Sequence, residues 1–268
     1  MRAAVLLALV VAVRAATTAT PSPLPAFVPG GTVVLGNVID GETLALADGR
    51  TLRLAGIETP GAAGWRGGAA LAARAKAVLA GLAAGTPLSI AYAGATTDRR
   101  GWVVAQLFAG GTWVQRALLR RGLARVHGAA DERIGLAAML AVEAEARAAR
   151  RGIWRRAAFA VRDADAAARD SGSFQIVEGT VADAARVGGA VYLDFGPDWH
   201  TAFAARIGRA ALKLCRKAGL DPMKLKGARL RVRGFIDGTI RPVMAVRFPE
   251  QIEIIGAARP GGDSGPPA

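Results

Sequence analysis

Cysteine and histidine are nearly missing from this chain, which has one Cys and two His among 268 residues. A lone Cys215 cannot form an intramolecular disulfide. Together with His127 and His200 it also falls short of the three or four nitrogen and sulfur ligands of a zinc site. Its helical context, ALKLCRKAG, reads as that of a small buried hydrophobe. No glycine-rich phosphate loop, nucleophile elbow or dinucleotide fingerprint is present, so several large enzyme classes drop out. Long apolar runs are missing too, except at the start. Residues 1–16, MRAAVLLALVVAVRAA, carry one Arg, an apolar run and small residues suited to cleavage near Ala15 or Ala16. That run is too short to span roughly 30 Å of hydrocarbon comfortably, so it reads as an export signal. The expected product is periplasmic or secreted, with no membrane span once the signal is removed.

Acidic residues are the scarcer charge: 21 Asp and Glu stand against 35 Lys and Arg, a formal net charge of +14. Such a field favours nucleic acid or another polyanion as partner. Most of the basic residues are Arg in a chain also rich in Ala and Gly, and a biased coding composition explains that excess equally well. Charge alone therefore identifies no ligand.

The length suits two domains of ordinary size. Residues 17–29, rich in Thr, Ser and Pro, read as a linker, and the first folded unit is expected over 30–154. It opens with three short alternating runs joined by turn signals at Asp40-Gly41 and Asp48-Gly49. A helix is expected from Trp65 to Leu82, followed by the strand-like runs PLSIAYAG and WVVAQLFAGG. Helices then follow from Thr112 to Gly122 and from about Asp131 to Arg151. Three strands, a helix, two strands and closing helices suit a five-stranded barrel of the oligonucleotide-binding type. Residues 155–172 read as a linker that can extend the preceding helix. Residues 173–256 repeat the order of strands around one helix, and 257–268 form a breaker-rich tail expected to be disordered. The fold class is thus mainly β with α, an oligonucleotide-binding-type barrel followed by a second one. In that second unit Arg229, Arg231 and Arg233 alternate with apolar residues, charge outward, and Tyr192, Phe195, Trp199 and Phe203 lie close by in sequence.

The residues that carry chemistry form a spaced set: Val38-Ile39-Asp40-Gly41-Glu42-Thr43, Arg53 through Pro60 (RLAGIETP), Asp98-Arg99-Arg100-Gly101, Gly122-Leu123-Ala124-Arg125-Val126 and Gly152-Ile153-Trp154. In order and spacing the set resembles the staphylococcal-nuclease-like (thermonuclease) family over about residues 30–154. The resemblance implies a calcium-dependent site that cleaves phosphodiesters of DNA and RNA. Carboxylates hold a hard cation, two guanidiniums clamp the phosphoryl group, and a carboxylate activates water. Matched residue by residue, the cation ligands are Glu42, Glu58 and the Thr59 carbonyl with Asp40 nearby. Glu42 and Glu58 stand where the family usually has Asp, so a weakened calcium site is implied. Arg53 matches the first clamping arginine. Gly61 stands where the family has its general-base glutamate, and Trp102 where it has the second arginine. Asp98, Arg99, Arg100 and Trp102 are the implied substrate-binding positions.

Each residue has a plainer reading as well. The Asp-Gly pairs are ordinary turns, Arg53 a solvated strand residue, Trp102 a cap on the barrel or else a stacking platform. The expectation is a nucleic-acid or polyanion binder with weak or absent hydrolysis. The rivals are an active nuclease using substitute groups such as Arg99 or Arg100, and a non-catalytic protein-interaction module of the envelope.

Overall fold

A computed structural model describes residues 24–61, 68–238 and 241–256 of the chain. The expected signal, residues 17–23 of the expected linker, Trp65 and the expected tail lie outside the described residues. The first unit contains β1 (Val28–Val33), β2 (Leu35–Val38), β3 (Thr43–Leu46), β4 (Thr51–Leu54), β5 (Ile57–Glu58) and α1 (Ala69–Ala83). It continues through β6 (Leu88–Tyr92), β7 (Val103–Ala109), β8 (Thr112–Trp113), α2 (Val114–Arg120), β9 (Arg125–Val126) and α3 (Leu136–Ala148). The strand order is β1-β6-β7-β4-β3-β2. Because β1 and β2 are halves of one bent segment, this order closes on itself as a five-segment barrel. Leu44, Leu52, Leu54, Ile57 and Leu107 fill its interior, and burying each stabilises the fold by about 1.5–3 kcal/mol. α1 closes one side with Ala75, Leu79 and Ala83.

α1 begins at Ala69 rather than at Trp65, and α2 and α3 are shorter than expected, each for a local reason. Thr112 and Trp113 pair with β7 as β8, and the buried Trp113 indole donates to Gln106 Oε1 at 2.9 Å. α2 therefore starts only at Val114. α3 starts at Leu136, after Gly135 at φ +87°, which leaves Glu132 and Arg133 in irregular chain with other partners.

The second unit contains β10 (Arg162–Asp163), β11 (Phe174–Thr180), β12 (Asp183–Val187), β13 (Ala190–Asp194), β14 (Ala204–Ile207), α4 (Arg209–Lys217), β15 (Arg229–Asp237), β16 (Val243–Val246) and β17 (Ile252–Gly256). Its order, β11-β15-β16-β14-β13-β12, repeats the first: two halves of one segment at the ends, and a parallel pair between the third and fifth segments. The chain is thus mainly β, an oligonucleotide-binding-type barrel domain followed by a second β-sheet domain.

The segment 155–172 differs from a plain linker. β10 adds a parallel strand to β11, and Ala164 and Ala167 of a short 3-10 stretch enter the second core. Of the β15 arginines, Arg229 is exposed as expected and Arg231 is partly buried, whereas Arg233 differs from expectation. Leu230 and Val232 face the interior, but Arg233 does not point to solvent. It is buried against α3, donating to Glu143 Oε1 at 2.9 Å and to Glu253, while Arg147 joins the same two acids at 2.9 and 3.2 Å. This sheet face serves as an inter-domain joint. Phe248 adds to it by packing into the first core, and Arg133 makes a bidentate pair with Glu250 at 2.8 and 2.9 Å. Among the described residues no helix is long and apolar enough to cross a membrane.

Candidate functional site

The expected site residues gather on the β3, β4 and β5 side of the first barrel, but their pairing differs from the cation cradle implied by the resemblance. Asp40 is exposed and spends its Oδ1 on the Glu42 N–H at 2.8 Å, closing the β2–β3 turn. Glu42 Oε2 accepts the N–H of the buried Thr59 at 2.5 Å. Burial is the main cause that pushes the Glu42 carboxyl up from 4.5 to about 7, and the nearby Asp40 and Glu58 add to it. Glu58 faces Arg125 directly across the β5–β9 ladder. This register delivers the Arg125 Nε and Nη2 to Glu58 Oε2 at 2.8 and 2.7 Å. His127 Nδ1 lies 3.7 Å from the same oxygen. Burial holds the His127 imidazole below its usual range, with Glu58 opposing that shift.

These residues, as placed, do not fit a calcium ion. A guanidinium already sits on the central carboxylate, a backbone N–H occupies the other, and among the described residues no three acidic, His or Cys side chains converge on one point. A hard cation needs several oxygens free to turn toward it, and here the strongest candidate is neutralised by Arg125.

Arg53 lies between two acids, with Nε 3.6 Å from Asp98 Oδ2 and Nη2 3.4 Å from Glu132 Oε1. Glu132 is buried, and that burial raises its carboxyl while Arg53 opposes the rise. Asp98 Oδ1 accepts the N–H of Arg100 at 2.9 Å and of Trp102 at 3.1 Å, shaping the loop. Arg99 and Arg100 are exposed, and the Arg100 guanidinium lies 5.0 Å from the Trp102 ring centroid. Gly61 adopts φ +111°, and a Cβ there would meet Ala72 Cβ at 2.9 Å. The position is therefore closed to larger residues on two grounds, backbone strain and contact.

The second domain completes one wall. Arg125 Nη1 donates to the Phe174 carbonyl at 3.1 Å, and its guanidinium lies 4.3 Å from the Phe174 ring centroid. His127, Phe174 and the half-exposed Phe235 form an aromatic group with centroids 4.8 to 6.0 Å apart. A cavity of about 570 Å³ opens between the domains, lined among others by Glu58, Arg125, Arg169 and Phe174. Sequence reasoning singled out neither Glu132 nor this wall. Glu132 sits in irregular chain without periodicity, and Phe174 and Phe235 meet Arg125 only through domain packing. Arg125 was visible within the GLARV run, but nothing in its spacing revealed Glu58 as its partner.

On comparison with known proteins, the family described as staphylococcal nuclease homologue matches residues 51–156. Those residues form a staphylococcal-nuclease-like domain. The match takes in Arg53, Glu58, Asp98 and Trp102, whereas Asp40 and Glu42 precede it. No curated protein matches the chain.

The Glu42 carboxyl gives a pH prediction. Its folded value of about 7 lies above the ordinary 4.5, so between these limits the folded state binds more protons than the unfolded one. Its contribution therefore makes stability fall as pH rises from about 4.5 to 7 and then level off. Urea titrations of wild type and Glu42→Gln in chelator at pH 4.5 to 8.5 are expected to converge at the acid end. The variant is expected to be the more stable above pH 7. A constant difference across the range would contradict the assignment.

Proposed function

We propose that this is an exported nucleic-acid-binding protein built on a nuclease-like barrel, in which phosphodiester hydrolysis is weak or absent. The observation that carries the reading is the state of the three reaction positions. Gly61 offers no proton acceptor and has a backbone unsuited to one, Trp102 stands in place of a guanidinium, and Glu58 is occupied by Arg125. A general base contributes about 10²–10⁴ in rate, so its loss alone leaves a poor catalyst. The nuclease-family match and the net charge of +14 support retained affinity for polynucleotides. Export rests on the N-terminal signal.

Near the site the charges nearly balance, because Asp40, Glu42, Glu58, Asp98 and Glu132 face Arg53, Arg99, Arg100 and Arg125. Binding there relies on the exposed Arg99 and Arg100 with Trp102 as stacking surface. The test is affinity for single-stranded DNA against salt. Contact with two phosphates gives a log-log slope of about −1.4 or steeper, and a flat line would contradict polyanion recognition.

One observation favours a second reading. The buried Glu132, with its carboxyl raised and lying 3.4 Å from Arg53, has the setting of a substitute general base. If native protein cleaves DNA at an enzyme-like rate and Glu132→Gln abolishes cleavage while leaving binding intact, that reading replaces the first.

A further inference from the structure

The two barrels share one strand order, so their faces can be compared. In the first, the outward side chain of the third segment is Arg53, on β4 between the buried Leu52 and Leu54. The loop between the fourth and fifth segments brings Asp98 and Trp102 to the same side. In the second barrel the third segment is β14, whose outward residue Arg206 lies exposed between the buried Ala205 and Ile207. Directly opposite on β13 is Tyr192, and the Arg206 Nε donates to the Tyr192 hydroxyl at 3.1 Å. The loop between the fourth and fifth segments supplies Arg241. The loop between the second and third supplies Trp199, which remains 57% exposed.

These groups form one assembly. The Arg241 guanidinium, held by Asp194, lies 5.4 Å from the Tyr192 ring centroid and 5.7 Å from that of Trp199. Trp199 stacks on His200 at 3.7 Å. Of the four aromatics near one another in sequence, Phe195 and Phe203 turn inward as a buried pair 5.1 Å apart. Tyr192 and Trp199 turn outward. The cross-strand neighbours flanking the Tyr192–Arg206 row are the small Ala185 and Ala245. An indole left mostly in water, a phenol hydroxyl held by the exposed Arg206, and Arg241 at ring distance from both aromatics offer a ligand a flat apolar face and guanidinium donors together. Unpaired bases with their phosphates match that combination, since bases stack on aromatic rings whatever their identity. A duplex keeps those base faces stacked inside itself.

We propose that the Tyr192, Trp199, Arg206 and Arg241 face of the second barrel binds single-stranded nucleic acid by base stacking, as a site separate from the first barrel. This rests on the reading of the protein as a nucleic-acid binder. The test uses the whole chain and anisotropy of a labelled twelve-residue oligo-dT, an abasic strand of equal length and inorganic polyphosphate. Trp199→Ala is expected to weaken oligo-dT binding by roughly 5- to 150-fold, the usual range for losing one stacked base. Trp199→Phe is expected to keep most of the affinity, and the abasic strand to bind wild type much more weakly than oligo-dT. Trp199 is at the surface, and circular dichroism checks the fold of each variant. Normal affinity in Trp199→Ala together with loss in Trp102→Ala would overturn this site and leave the proposed function standing. Equal binding of oligo-dT, the abasic strand and polyphosphate would overturn stacking. No binding of oligo-dT by wild type would overturn both readings.

Discussion

Replacing Arg233 with methionine is expected to destabilise the folded chain by about 3–5 kcal/mol, the usual cost of removing one partner from a buried ion pair. Arg233 is 3% exposed and Glu143 fully buried, so the substitution strands Glu143 in the joint between the domains. Arg147, 2.9 Å from Glu143 Oε1, compensates only in part. At this chain length a loss of 1 kcal/mol lowers the melting temperature by about 2–4 °C, which puts the shift near 6–20 °C. Adding Glu143→Gln to Arg233→Met is expected to recover part of the loss, because the uncompensated charge disappears while an acceptor for the Val126 N–H remains. Thermal and urea unfolding measure both effects. Wild type is expected to unfold in one transition, since Phe248 of the second domain packs into the core of the first. A cost below about 1 kcal/mol for Arg233→Met would mean that the network behaves as a solvated surface pair.

The second large effect concerns turnover. Cleavage of single-stranded DNA by the native protein, assayed with calcium in the buffer, is expected to fall at least about 10²–10⁴ below that of a nuclease with its general base in place. Trp102→Arg supplies a second guanidinium but no base, so it is not expected to restore cleavage. Gly61→Glu is expected to fail for a different reason. At φ +111° and with Ala72 Cβ 2.9 Å from the new Cβ, the glutamate costs about 1–3 kcal/mol in strain. A glutamate does not enter this position unstrained, because the backbone conformation and the Ala72 contact suit glycine. Native turnover at an enzyme-like rate that disappears in Arg53→Ala would refute this account.

Much of the fold was legible in local pattern. The turns at Asp40-Gly41 and Asp48-Gly49, the alternation of Leu44 with Leu46 and of Leu52 with Leu54, and the helix ending near Gly85 each follow from neighbours a few residues away. Helix limits were less legible, because tertiary demands overrode periodicity. Trp113 left the helical pattern to satisfy its indole against Gln106, and residues 131–135 left it to pair Glu132 with Arg53 and Arg133 with Glu250. The candidate site divides in the same way. Spacing marked Arg53, Glu58, Asp98 and Trp102, but their partners lie far off in the chain: Arg125 is 67 residues from Glu58, and Glu132 is 79 from Arg53.

The sequence by itself determined the order of the elements, two β units each with a helix after the third strand segment, and the residue types at the reaction positions. Backbone propensity, turn chemistry and binary pattern act over short range and so are readable without coordinates. The tertiary structure alone decided which charges neutralise one another. It turned the Arg233 of a seemingly solvent-facing basic strand into a buried joint, placed Arg125 on Glu58, and sorted four nearby aromatics into two core rings and two exposed ones. Coulombic and packing energies depend on distances through space, which are fixed only when the two barrels close and meet.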